Sequence, residues 1–387
     1  MKILALGGAG KITREAVLDL STYGDFEKIT IADINLREAE SVASSIGRQN
    51  IDAVRLNVFD KQSAIAVMKN YDLVLDGTAI SLNKTTTECI ALAGCHGINL
   101  NGFGDEYQFH SIFESNGRIM VPGFGMTPGV TNMMAVHAAD KMELVNTVRV
   151  SHGAFRPIAF SGAIVETTVY EYDPNLSNRV VFEEGRFIQV PPFSRPLEID
   201  LPMPYGRMVQ YIIPHSETVT LEQYLRNKGV SLIEVRGTWP LPNMNLLRTL
   251  YDWGFLKNEK ILVNDSEIGI MEAIAKYLTQ TSAGRETELY GYALHVEVTG
   301  MKNGRLVSHT LTHTHPASDG SVPGWEKLRA YTRNVGIPFA IAAHLISQGK
   351  YKGTGVIIPE MVFNPGDVFN ELRRREIFIH QTESDLN

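Results

Sequence analysis

Lys2-Ile3-Leu4-Ala5-Leu6-Gly7-Gly8-Ala9-Gly10-Lys11-Ile12-Thr13, followed by Ile29-Thr30-Ile31-Ala32-Asp33, decides the fold. An apolar strand runs into Gly7–Gly10. From Lys11 to about Leu20, Ile12, Ala16, Val17 and Leu20 then return at helical spacing. A strand that feeds a helix through such a turn sets open N–H groups and the positive end of the helix dipole against phosphate. Gly8 and Gly10 are the first two glycines of a G-x-G-x-x-G turn, where a side chain would hold a pyrophosphate off the backbone. The third position is Thr13, which either loosens the helix–strand contact or offers its hydroxyl to a phosphate. Alone, the turn reads equally well as a structural bend. The strand before it, the helix after it and an acidic residue ending the second strand make it specific.

That acidic residue is Asp33. Its carboxylate is suited to the adenosine ribose hydroxyls and repels a 2′-phosphate, which predicts NAD as cofactor over NADP. A helix-capping aspartate is the competing reading, and Arg37, one turn later, is the residue that would admit NADP. Lys11 and Ile12 beside the turn, and Gly77, Thr78 and Ala79 after Asp76, are further candidate cofactor contacts, because ligands bind at the carboxyl ends of such strands.

The alternation continues. Asn35-Leu36-Arg37-Glu38 has the capping-box form, Ala39, Val42, Ala43 and Ile46 follow at helical spacing, and Gly47 is a terminator. Strands at Ala53–Leu56, Leu73–Leu75, Ile98–Leu100 and Ile119–Val121 are separated by helices near Gln62–Lys69 and Thr86–Ala93. This predicts an α/β, doubly wound parallel sheet, a Rossmann dinucleotide-binding domain over residues 1–130.

From Val148 to about Thr314 the pattern turns β-rich, with strands predicted at Thr147–Ser151, Ala163–Tyr172, Val180–Phe182, Phe187–Val190, Leu232–Val235 and Leu294–Thr299. Asn303-Gly304 reads as a hairpin turn, and the Pro-rich Val190–Pro204 as a loop. A second α+β domain with a mainly antiparallel sheet, for substrate binding and dimerisation, is placed at residues 131–324. Helices at Ile337–Gln348 and Asp367–Arg374 assign residues 325–387 back to the Rossmann domain, with Arg373-Arg374-Arg375 on a solvated face.

The chain has 387 residues, enough for roughly two domains of ~100–200 each. Its 44% hydrophobic and 20% charged content fits a globular protein, and no apolar stretch approaches the ~20 residues that span a bilayer. The start runs straight into a strand without the form of a signal peptide, and Cys89 and Cys95 make no disulfide framework, which predicts a cytoplasmic protein. A net charge of -7 argues against nucleic acid or an anionic membrane as main partner.

With the Gly7–Gly10 turn, Asp33 and Gly123-Phe124-Gly125-Met126-Thr127-Pro128-Gly129-Val130-Thr131-Asn132, the chain resembles the saccharopine dehydrogenase-like family over nearly its whole length. The family's G-x-x-P-G-x-x-N turn is matched at Gly125, Pro128, Gly129 and Asn132, and Asn132 is taken with it as a candidate substrate contact. Pro214-His215-Ser216-Glu217-Thr218-Val219-Thr220-Leu221 resembles a histidine loop of the lysine 6-dehydrogenase branch, and Val235-Arg236-Gly237 that branch's arginine–glycine strand end. Arg333, Gly336, Pro338, Gly349, Gly355-Val356 and Pro359-Glu360 fit the same branch. Thr127 stands where some saccharopine dehydrogenases carry aspartate, and His152-Gly153 where they carry cysteine and glycine.

The resemblance implies an NAD-dependent enzyme that oxidises the C–N bond of an amino acid or amine to an imine. The alternatives are a reductase joining an amine to an oxo acid and a non-catalytic NAD-binding sensor or subunit. Amine oxidation needs a base, for which histidine is suited, and a cation to hold a carboxylate, for which arginine is suited. His152 and His215 are the candidate bases and Arg236 the candidate clamp, each with an ordinary structural reading beside it, for Arg236 an ion pair with Glu234. A homodimer built on the second domain is expected, since its sheet lacks an evident helix layer on both faces. His309, His313 and His315 share one strand face, but alternate residues lie ~6.5–7 Å apart, long for a single ion. No metal is assigned, and a histidine-lined substrate or dimer surface is predicted there.

Overall fold

The structure, a computed structural model, describes residues 1–102, 104–159, 161–257, 259–281 and 287–386. It divides into two compact units, residues 1–137 with 332–378 and residues 138–331 with 379–387. The boundaries expected near residues 130 and 324 fall instead inside the helices Val130–Ala139 and Leu328–Ser347. Uninterrupted helices carry the chain through, so no loop or change of composition marks the divisions.

In the first unit, β1 (Lys2–Leu6), β2 (Lys28–Asp33), β3 (Ile51–Arg55), β4 (Leu73–Asp76), β5 (His96–Asn99) and β6 (Ile119–Val121) join a strand at Gly355–Val356. The order is Gly355–Val356, β6, β5, β4, β1, β2, β3, and every pair is parallel. Both faces are covered, so the strands read as apolar runs, and Ile3, Leu4, Ala5, Ile29, Ile31 and Leu73 through Leu75 are fully buried. The order reverses between β4 and β1, where the ligand crevice of such a sheet lies. Asn35 caps Leu36–Ile46 by accepting from Glu38 N at 3.4 Å, and Gly47 closes that helix at φ 68°.

The Arg373–Arg375 triplet is not one solvated face. Arg373 and Arg374 are exposed, but Arg375 is buried, donates through Nε to both oxygens of Asp19 at 2.9 and 2.7 Å, and reaches Glu371 Oε2 at 2.6 Å. Its guanidinium also lies over the Tyr23 ring at 4.2 Å.

The second unit is built on β7 (Leu144–Phe155), β8 (Val180–Glu183), β9 (Arg186–Gln189), β10 (Leu197–Leu201), β11 (Gly206–Ile212) and β12 (Leu232–Thr238). The chain adds a small hairpin of β13 (Lys260–Val263) and β14 (Ser266–Gly269), then β15 (Gly291–Lys302) and β16 (Arg305–Thr314). The nine-stranded sheet runs β10-β11-β12-β7-β15-β16 and ends on a strand at Phe378–Asp385, with β8 beside β12 and β9 beside β8. β7 and β12 are parallel, and the described pairs around them are antiparallel. Asn303 and Gly304, at φ 52° and 76°, make the two-residue turn between β15 and β16.

Three expectations fail here. Ala163–Tyr172, read as a strand from its β-branched content, lies mainly in the helix Gly162–Tyr170, capped by Ser161, whose hydroxyl accepts from Ile164 N at 3.4 Å. The Val190–Pro204 loop contains β10, paired with β11. The segment after Gly324 is not helical to its end, because Phe378–Asp385 is a strand.

Register fixes the faces of this sheet. His152 pairs with Gly237 and Leu294, Val150 with Val235 and Val296, Val148 with Ile233 and Val298, and all nine are buried or, for Gly237, without a side chain. Arg149, Glu234, Arg236 and Glu297 stand on the opposite face. No helix among the described residues is long and apolar enough to cross a membrane.

Candidate active site

In the first unit the glycine turn is held at van der Waals limits. A Cβ on Gly8 would lie 2.7 Å from Ala5 O, and one on Gly10 2.9 Å from Gly7 O. Gly10 N donates to Gly7 O at 2.9 Å and Arg14 N to Gly10 O at 3.0 Å, which leads the turn into the helix Thr13–Tyr23. Ile12 sits at that helix's N-cap and Lys11 is exposed beside it. Thr13 is buried and leans on Gly77, where a Cβ would lie 2.0 Å from its Oγ1. The third-glycine position has therefore been exchanged for a glycine on the neighbouring strand end, and the hydroxyl packs rather than pointing at a phosphate.

Asp33 ends β2 and is no helix cap, since Asn35 holds that place. Its carboxylate accepts from Ala9 N at 3.2 Å and Asn35 N at 3.0 Å, tying the glycine turn to the second strand. Each oxygen keeps a further acceptor site. Asp76, fully buried, has its carboxyl pushed up by burial, against hydrogen bonds from Thr78 and Thr86. It accepts from Thr78 N at 3.0 Å and Thr78 Oγ1 at 2.6 Å, which sets the Gly77-Thr78-Ala79 turn. A cleft of about 290 Å³ runs along these parts, lined among others by Gly10, Asp33, Ile34, Phe59, Gly77 and Thr78. The Gly7–Gly10 cradle and the acidic strand end beside it fit a dinucleotide.

Asn132 lies in the same unit with its side chain engaged. Oδ1 accepts from Gly129 N at 2.7 Å and Nδ2 donates to Glu360 Oε1 at 2.6 Å, so it braces the Gly125–Gly129 turn rather than presenting a free amide.

The second unit brings its two candidate bases together. His152 and His215 stand with ring centroids 5.3 Å apart, both inside the protein. Their protonation is split. Burial, then the neighbouring His215, holds His152 down to about 3. Burial alone would also lower His215, but Glu217 and Glu171 outweigh it and raise it to about 10. Glu217 Oε2 lies 3.3 Å from His215 Nδ1, and Glu171 Oε1 3.9 Å from its Nε2. The pair thus carries one excess proton and one positive charge, on His215, while His152 is neutral with its Nδ1 unpartnered among the described residues. Trp239 at 6.0 Å and Tyr292 at 5.9 Å wall the His152 ring.

Arg236 is not part of this cluster. It stands on the other sheet face, where its guanidinium donates to both oxygens of Glu234 at 2.8 Å and to Arg195 O. The ion pair weighed for it is the one that forms. The cation on the histidine side is Arg156, just past β7, buried and lying over the Tyr331 ring at 5.3 Å. Tyr331 stacks on Tyr292 at 5.3 Å, and the charge of Arg156 is among the influences that keep His152 neutral. Sequence reasoning missed Arg156, Glu171 and Glu217. The usable signal was Arg156 four residues beyond His152, an even step along an extended strand.

The strand face of His309 and His313 is core, not surface. Both are 1% exposed, with Val307 and Leu311 beside them. His309 Nδ1 meets Gln381 Nε2 at 2.6 Å, His313 Nδ1 accepts from Leu294 N at 3.1 Å, and His315 stacks on Trp325 at 5.6 Å. His309 and His313 do share one face, and Thr310, Thr312 and Thr314 on the other side of the strand are the more open residues. Among the described residues no group of three His, Cys, Asp or Glu is arranged to hold a metal ion.

A glycine-cradled dinucleotide crevice and a buried acid–base cluster define a pyridine-nucleotide-dependent dehydrogenase, and comparison places its chemistry at CH–NH type groups. The chain belongs to the saccharopine dehydrogenase family: residues 3–120 match the saccharopine dehydrogenase NADP binding domain and residues 125–377 the saccharopine dehydrogenase C-terminal domain. A carboxyaminopropylagmatine dehydrogenase from Synechocystis is 18% identical over 94% of this chain and 93% of its own. The apo saccharopine dehydrogenase (L-Glu forming) of Saccharomyces cerevisiae shares the fold at a TM-score of 0.72 and 14% identity, covering 99% of each chain.

Proposed function

We propose that the protein oxidises the C–N bond of an amino acid or a carboxylate-bearing amine with NAD. The observation that carries this reading is the buried pair His152–His215, rings 5.3 Å apart, in which Glu217 at 3.3 Å and Glu171 at 3.9 Å favour the cation on His215 while burial favours neutral His152. An amine yields hydride only as the free base, and neutral His152, with Nδ1 open, takes the ammonium proton. His215 passes the pair's excess proton toward Glu217 as His152 gains one, so the two imidazoles titrate as a unit. Arg156, a cation on the same side, holds the substrate carboxylate. When bound, the nicotinamide supplies the hydride acceptor. Asp33 sets the choice of cofactor: its remaining acceptor sites take ribose hydroxyls and its charge opposes a 2′-phosphate. The matching family description carries NADP, and in this chain Asp33 argues the other way.

The test is NADH formation across a panel of amino acids and polyamines. Asp33→Ala is expected to weaken NAD and narrow its advantage over NADP, and His152→Asn to lower kcat ~10²-fold or more and change the pH–rate profile of the coupled pair. A wild type that prefers NADP overturns the role of Asp33, and an unchanged profile in His152→Asn overturns that of His152.

A further inference from the structure

The second unit contains a cleft of about 420 Å³ lined chiefly by Phe193, Met208, Tyr211, Trp239, Leu241 and Met244. Small-molecule pockets start near ~300 Å³, so it holds one ring or a short chain rather than a whole cofactor. It shares a wall with the histidines. Trp239 is 6.0 Å from His152 and 5.6 Å from Tyr172, and Tyr172 is 4.7 Å from Phe193, so aromatic rings run unbroken from the acid–base pair to the cleft. Phe193 sits at φ 56°, a left-handed conformation that an aromatic residue rarely adopts, and a backbone held there usually marks a site where a side chain must be aimed.

We propose that this cleft receives the non-reacting arm of the substrate, and that the arm is apolar, an aromatic ring or an aliphatic chain, rather than a carboxylate or a guanidinium. The inference rests on the reading of the His152–His215 pair as the reacting site. The charges around the cleft support it. No acidic side chain among the described residues lines it, so a cationic arm meets no carboxylate in the cleft wall. Its two arginines already face carboxylates, Arg207 with Asp200 at 2.8 and 3.2 Å and Arg248 with Asp252 at 3.0 Å, so an anionic arm meets cations whose charge is largely offset. Arg248 further lies over the Phe193 ring at 5.1 Å, occupying that face with its own cation.

Calorimetric titration of the NAD-loaded protein tests this with n-propylamine through n-hexylamine, 4-phenylbutylamine, agmatine and lysine, with NADH formation followed in parallel. Affinity is expected to rise about fourfold per added methylene, and 4-phenylbutylamine to bind more tightly than agmatine or lysine. Leu241→Glu, at a position 66% exposed and so safe for folding, is expected to flatten the alkyl series and raise agmatine affinity about tenfold. A flat series in the wild type, or agmatine or lysine binding best, overturns the proposal. So does a length dependence that survives Leu241→Glu unchanged. Length-dependent binding, with no NADH formed from any amino acid or polyamine, upholds the cleft's preference and fails the acid–base reading instead.

Discussion

Thr13 stands where a dinucleotide turn ordinarily has its third glycine, and Gly77 returns the room it takes. Gly77→Ala is therefore expected to destabilise by ~1–3 kcal/mol through overpacking and to weaken the dinucleotide. Thr13→Gly combined with Gly77→Ala should recover most of both, read by thermal melting and NADH fluorescence titration. A double variant as damaged as the single one would sink the pairing. His215 gives a residue-scale dependence on pH. Its folded value, about 10, lies above the ordinary 6.5, so its protonation stabilises fully below 6.5 and that contribution is lost as pH rises through about 10. His152 has the opposite sign. Held to about 3, it costs stability progressively as pH falls below 6.5. Glu217→Gln removes one carboxylate from His215, so its imidazole titration in NMR should move down towards neutral pH, and the alkaline loss of stability should move with it. A titration that stays in place would assign the charge to Glu171 alone.

Between elements, the clearest joint is Arg375, which ties the turn after Pro365–Arg373 to the helix Thr13–Tyr23. Asp19 is 5% exposed, and burial pushes its carboxyl up while Arg375 opposes that. Arg375→Ala leaves this carboxyl buried without its cation and is expected to cost ~3–5 kcal/mol. Arg374→Ala, at an exposed position, should stay within ~0.5 kcal/mol, and equal losses in denaturant melts would refute the distinction. The contrast with the sequence reading is instructive, because three adjacent arginines look alike until the turn after Arg373 aims only the last inward. Where local rules act alone, the sequence was legible: the glycine turn, the Asn35 cap, the Asn303-Gly304 hairpin. It misled where tertiary packing overrides propensity, as in Val165-Glu166-Thr167-Thr168-Val169, strand-like in content and helical in the structure. In the site, His152 and His215 could be named singly, but their carboxylates and Arg156 come from segments that meet only in the folded sheet. Arg236 failed on parity, since it alternates with Gly237 and so faces away from His152.

At the scale of the whole molecule, one stretch of the second unit, residues 253–277, exposes several large apolar side chains. Trp253, Leu262 and Tyr277 are 76%, 70% and 65% exposed, and the β13–β14 hairpin pairs with no further strand among the described residues. A two-stranded ribbon is marginal by itself, and an open apolar edge invites another strand. We propose that a second copy of the chain covers it, because Lys260-Ile261-Leu262-Val263 laid antiparallel on itself sets Ile261 against Leu262 in both directions. Light scattering is expected to give about twice the 43.0 kDa chain mass, and Leu262→Lys to return it to one. A wild type that scatters as a single chain would defeat this. The interleaved division of the chain also bears on how it is made. Residues 332–378 complete the first unit and 379–387 the second, so a ribosome delivers the two closing pieces back to back. Until then the nascent chain carries a parallel sheet without its Gly355–Val356 strand and β16 without its outer neighbour. The two units therefore complete within a few residues of each other during translation, so a chaperone meets two unfinished cores on one polypeptide rather than one finished domain trailing another.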